Sequence, residues 1–119
     1  MPAIPELVLR HEAAASLLTG LATWVDIDTL AWGQRYAVTT ACRILYTLET
    51  AQVASKSGAL EWAQRTLEPR WRPLLAQVRD ERTLGLDSER APRPGEGEAA
   101  RTFVRHVVAR AERARVQVP

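Results

Sequence analysis

The apolar residues of this 119-residue chain recur at three- and four-residue spacings and scarcely alternate. Ala37, Val38, Ala41, Cys42, Leu45 and Leu48 form one such stripe. It suits the buried face of a helix and would be scattered by a strand, whose side chains change face at every step. No Asn-Gly or Asp-Gly pair marks a hairpin. Alanine, leucine, arginine and glutamate dominate, and all four favour helix. The expectation is an all-α protein: a five-helix bundle forming a single domain over residues 1–119.

The spacing predicts a first helix over about Pro5–Leu18, with Gly20 as its stop and a linker from Gly20 to about Asp28. A long second helix follows over about Asp28–Ala51, capped by Asp28 or Thr29, or broken at Gly33 so that its main part begins near Gln34. Ser55 or Ser57 caps a third helix over about Ser57–Leu67. Pro69 and Pro73 suit the start of a fourth over about Arg70–Thr83. Residues 84–97, with Gly85, Pro92, Pro94, Gly95 and Gly97 among charges, read as a flexible loop. A fifth helix over about Glu98–Arg115 buries Phe103, Val104, Val107, Val108 and Ala111.

Charge and composition narrow the partners. Sixteen basic residues against fourteen acidic ones leave a net charge of +2, too little to drive binding to nucleic acid or membrane surface by charge alone. One cysteine permits neither an intramolecular disulfide nor a cysteine-based zinc cage. No apolar run approaches the roughly 18 residues of a membrane span. Met1-Pro2-Ala3-Ile4-Pro5 lacks the basic flank and apolar core of a secretory signal, so a soluble, cytoplasmic protein is expected.

Few residues suggest chemistry. On the second helix, Thr39, Arg43, Tyr46, Thr47 and Thr50 make a face that is polar without the Arg and Glu of a solvated surface, a face suited to lining something. Asp26-Ile27-Asp28 is a literal Asp-x-Asp, but no Gly-Ser loop or strand-rich segment accompanies it, and it reads as helix capping. Cys42, on the apolar stripe, and Trp62 read as core. Trp71, between Arg70 and Arg72, is expected to be at least partly exposed, stacking cations or covering a bundle end. Arginines along the last helix give it a basic, solvated outer face.

Arg35-Tyr-Ala-Val-Thr-Thr-Ala-Cys-Arg43-Ile-Leu-Tyr46, then Ser55-Lys56, then Ala59-Leu-Glu-Trp62-Ala63 resembles the C-terminal helical domain of bacterial aminoglycoside 3''-adenylyltransferases, the streptomycin- and spectinomycin-modifying enzymes. That domain carries an Arg-Asn-x-x-Leu-Thr-x-x-Arg-x-x-Tyr helix, a Ser-Lys-Asp turn and an Ala-x-x-Trp-Ala helix. The likeness continues through Arg65-Thr-Leu67, Arg70-Trp-Arg-Pro73 and Arg79, and returns at Phe103-Val104 and Val107.

The resemblance implies ATP phosphate contacts by Arg43 and by Lys56, thirteen positions later and the only lysine. An arginine fork and a lysine at a helix start suit accumulating phosphate charge. It implies an aminoglycoside or aminocyclitol facing Trp24 and Asp28, with Tyr46 a lesser candidate. A further acid of the family falls on Gly33, and its tyrosine near the end of the fourth helix is replaced by Arg82 or Thr83. Magnesium, its paired aspartates and a general base belong to an N-terminal nucleotidyltransferase domain. The chain therefore reads as the helical half of such an enzyme, inactive alone: either a fragment of it, or a stand-alone helical domain with a separate catalytic partner or a new role.

Two other readings stand beside it. Arg101-Thr-Phe-Val-Arg-His106 fits the Arg-x(4–6)-His spacing of HEPN-type helical ribonucleases, which would pair it across a dimer. With fifteen arginines and two histidines, such a spacing also arises by chance. A non-catalytic binding module that keeps the phosphate site is the other.

Overall fold

The computed structural model describes residues 16–23, 31–84 and 95–116. In order they form α1 (16–23), α2 (Ala31–Thr50), α3 (Lys56–Thr66), a 3-10 turn (Pro69–Trp71), α4 (Arg72–Leu84) and α5 (Glu96–Val116). Among the described residues there is no strand, and no helix is long and apolar enough to cross a membrane. The all-α bundle expected from the spacing is the fold.

Three boundaries differ from the sequence reading. Gly20 lies inside α1 and does not end it: Leu18 and Leu21, one turn apart on either side of it, are both buried. Burying that pair carries the helix across the glycine, so the linker cannot begin there. α2 runs unbroken through Gly33, which is itself buried. α5 starts at Glu96, preceded by Gly95 at φ +80°, a conformation open to glycine at little cost. Residues 1–15, 24–30 and 85–94, which hold the first part of the predicted first helix, the linker and most of the predicted loop, lie outside the described residues.

α2 is the hub, packed against α3, α4 and α5. Its stripe of Ala37, Val38, Ala41, Cys42, Leu45 and Leu48 is buried as the spacing predicts. The alanines let α5 approach closely with Ala100, Phe103, Val104, Val107 and Ala111. α3 adds Ala59, Leu60 and Ala63, α4 adds Leu75 and Val78, and all join one core with Leu18, Leu21 and Leu67. Burial also pushes the Cys42 thiol far above its ordinary range, as expected of a core cysteine.

Trp71 corrects the expectation of exposure. It is only 6% exposed, because its ring meets Phe103 edge-on at 5.3 Å and His106 at 5.0 Å, both from α5. The predicted cation does stack on it, with the Arg70 guanidinium 4.5 Å from the ring centre.

One ion pair crosses the interior. Arg35 of α2 donates to the Glu81 carboxylate of α4 at 3.1 Å, and the two side chains are 13% and 5% exposed. Such a pair gains little over apolar packing, yet removing one member strands the other's charge. Arg35→Met is expected to cost about 3 kcal/mol, read by urea unfolding. Gly20 has open space where a Cβ would stand. Gly20→Ala is therefore expected to stabilise the fold by about 0.5–1 kcal/mol, seen as a rise of a few degrees in Tm.

Candidate functional site

The corner between α2 and α3 is built from a short, heavily tied connection. α2 ends where Ala51 turns into the left-handed region at φ 61°, its N–H donating to the Thr47 carbonyl at 2.9 Å. A residue with a Cβ adopts that geometry at a cost of about 1–2 kcal/mol, so neighbouring contacts have to hold it. The Thr50 hydroxyl donates to the Tyr46 carbonyl at 2.7 Å and accepts from the Gln52 N–H at 3.2 Å. The Tyr46 hydroxyl donates to Gln52 Oε1 at 3.2 Å, while its ring stands edge-on to Trp62 of α3, 5.4 Å between centres.

Arg43 closes the corner. Its Nε donates to the Ala54 carbonyl at 3.2 Å, which leaves the outer nitrogens of the fork beside the start of α3. The next residue, Ser55, caps that helix by accepting the Gly58 N–H at 3.0 Å; Ser57, the other predicted cap, does not serve. Lys56 is the first residue of α3 and is exposed. The first turn of α3 holds no acidic residue, so its orphan N–H groups and dipole add to the positive field.

The polar face of α2 therefore lines the α2–α3 corner. Thr39 is buried, while Arg43, Tyr46, Thr47 and Thr50 are half-buried. The structure ties Arg43 to the Ala54 carbonyl, two residues before Lys56 in the chain. Tyr46 underpins the connection from below. Trp24 and Asp28 lie outside the described residues.

Arg82, one of the two residues that stand where the family has a tyrosine, also reaches this corner. From the last turns of α4 it donates to the Ser57 hydroxyl at 3.1 Å. No spacing in the sequence announces a contact across 25 residues. The environment of these cations contrasts with that of other arginines. Arg35, Arg65, Arg70, Arg101 and Arg110 each have a carboxylate within 4.0 Å, on Glu81, Glu61, Glu68, Glu98 and Glu49. Arg43, Lys56 and Arg82 have none among the described residues. A groove of about 280 Å³ lined by Arg70, Trp71, Pro73, Leu74, Gln77 and Ala99 lies elsewhere, on the α4–α5 side.

Arg101 and His106 are not drawn together. Five residues apart on one helix, they point about 140° away from each other. Arg101 pairs with Glu98 at 3.0 Å. The His106 ring lies against Trp71, with Arg70 Nη2 3.5 Å from its Nδ1. Its Nε2 is buried and has no hydrogen-bond partner among the described residues.

Burial lowers the His106 pKa below its ordinary value near 6.5; Glu68 opposes the shift, and Arg70, Arg110 and Arg113 reinforce it. An unfolded chain then takes up this proton at a higher pH than the folded one. Stability should fall as pH drops below about 6.5 and level off beneath the lowered folded value. Chemical denaturation between pH 7.5 and 5 is expected to show that loss, and His106→Gln to reduce it.

The family profile described as Aminoglycoside adenylyltransferase, C-terminal domain, matches residues 3–110. The chain belongs to that family. No curated protein and no solved structure gives a significant match. The match spans all of the described helices except the last turns of α5, so the α2–α3 corner is a feature of an aminoglycoside adenylyltransferase C-terminal domain.

Proposed function

We propose that this domain is the nucleotide- and drug-embracing half of an adenylyltransferase acting on a spectinomycin- or streptomycin-type aminoglycoside or aminocyclitol. The supporting observation is the convergence of Arg43 and Lys56 at the start of α3, with no carboxylate to neutralise them among the described residues. Two cations and a helix start suit a polyphosphate, whose oxygens replace the missing counter-charge.

In adenylyl transfer a drug hydroxyl attacks the α-phosphorus of ATP and pyrophosphate departs, so negative charge gathers on the β- and γ-phosphates. Arg43 holds them with a fork whose orientation is set by the Ala54 carbonyl. Lys56 adds a mobile point charge. Magnesium, where bound, shares that charge, and together with the general base it is supplied by the catalytic nucleotidyltransferase domain. Among the described residues no three His, Cys, Asp or Glu side chains cluster to hold a metal ion. Trp24 and Asp28 are assigned to the drug side, with Tyr46 fixing the floor between drug and nucleotide.

Calorimetric titration of the chain with ATP tests this reading. Binding at millimolar affinity or tighter is expected, weakened about tenfold by Arg43→Ala or by Lys56→Ala, as for loss of a hydrogen bond to a charged group. Circular dichroism should show both variants folded. An affinity unchanged in both variants, or no ATP binding, would overturn the assignment.

A further inference from the structure

We propose that His106 is an acid-sensitive latch: its neutral ring fastens the Pro69–Trp71 turn to α5, and its protonation releases Trp71 from that helix and opens the groove the indole lines. The release is local and precedes any unfolding of the bundle.

The contact between turn and helix is poorly satisfied in polar terms. Three buried side-chain atoms among the described residues have no hydrogen-bond partner: Gln34 Oε1, Trp71 Nε1 and His106 Nε2. Two of them belong to rings that pack on each other, with 5.0 Å between centres and a tilt of 38°. Burying a polar atom without a partner is unfavourable, so ring packing here works against a standing desolvation cost. The turn is three residues long, tied by the Trp71 N–H to the Glu68 carbonyl at 3.0 Å. Moving it gives both nitrogens access to water and leaves the packing of α5 on α2 in place.

A proton tips that balance. Neutral imidazole keeps one accepting nitrogen, and Arg70 Nη2 stands 3.5 Å from Nδ1. In the imidazolium both nitrogens donate. Arg70 and Nδ1 then face each other as like-charged donors, and Nε2 carries a hydrogen with no acceptor. The charged groups acting on the ring are Glu68 and Arg70 from the turn and Arg110 and Arg113 from α5. Glu68, the one carboxylate of the four, is engaged by Arg70 at 3.1 Å, and Arg110 is held to Glu49 of α2. The new cation has no free counter-charge, and water is its nearest relief. Burial and the three arginines keep the ring neutral at pH 7 against the pull of Glu68, which places the release below about pH 6.5.

Release changes what the α4–α5 side presents. Arg70, Trp71, Pro73, Leu74 and Gln77 line the groove from the turn and α4, and Ala99 closes it from α5. Once Trp71 leaves His106 and Phe103, the groove gains an indole face that the neutral form keeps against α5.

The test follows the tryptophan indole N–H signals of the nitrogen-labelled full chain from pH 7.5 to 5, with Trp71 assigned by its loss in Trp71→Phe. A soluble, neutral gadolinium chelate reports which indoles solvent reaches. The Trp71 signal should titrate with one midpoint below about pH 6.5 and be broadened by the chelate only at the acid end. The Trp62 signal and the far-ultraviolet circular dichroism should stay constant. His106→Gln should remove the titration, whatever its effect on the resting position of Trp71. Arg70→Gln removes the nearest cation and should raise the midpoint by about half a pH unit, while Glu68→Gln should lower it by a similar amount. A Trp71 signal that stays still, or that moves equally in His106→Gln, would overturn the latch. Titration without greater access of the chelate to Trp71 would overturn the release. Loss of the Trp62 signal or of helicity over the same range would make the change global unfolding, and a midpoint unmoved in both charge variants would remove its electrostatic cause; either result overturns the proposal.

Discussion

The buried pair between Arg35 and Glu81 is the constraint from which the rest of the structure follows. It locks α4 to α2 across a largely apolar interior. An ion pair in such surroundings is directional, so it sets the rotation of α4 about its own axis where packing alone would tolerate small turns. With Glu81 turned inward toward α2, the next residue along, Arg82, is carried about 100° around the helix and meets the first turn of α3. A contact inside the bundle thus decides which cation faces the corner.

The corner itself is held by a short, densely bonded connection. Ala51 in a left-handed conformation and the closely spaced bonds among Tyr46, Thr50 and Gln52 hold five connecting residues in one path. The core beneath is Ala, Val and Leu from α2 and α3, with Trp62 packed at its margin. Above it, the Ala54 carbonyl holds Arg43 and the Ser55 hydroxyl caps α3. Elsewhere on the surface the same residue type behaves differently: Arg110 reaches Glu49 with two nitrogens, at 2.8 and 3.1 Å, clasping α5 to α2.

In this aminoglycoside adenylyltransferase C-terminal domain, α2 is both the central core helix and the carrier of Arg43. The α4–α5 side, where Trp71, Phe103 and His106 pack together under Arg70, is built differently, with aromatic faces and an inward-turned imidazole. Arg101 and His106 lie on different faces of α5, Arg101 paired with Glu98 and His106 turned against Trp71.

Much of the fold was legible because helix spacing is a local property. The stripe of α2, the cap at Ser55 with the helix after it, and the buried valines of α5 all follow from residues a few positions apart, whose relations a linear reading preserves. Arg43 and Lys56 were singled out through resemblance, and the bond from Arg43 to the Ala54 carbonyl was not legible in the spacing. What escaped depends on partners distant in the chain. Gly20 stays helical because Leu18 and Leu21 are buried together, Trp71 is covered by residues more than thirty positions later, and Arg82 finds Ser57 across two helices. Periodicity says which side of a helix turns inward, but which other helix that side meets, and at what rotation, depends on how all the faces fit at once. That packing fixed the company of Trp71 and the direction of Arg82, whereas the helices themselves were already written in the spacing of the chain.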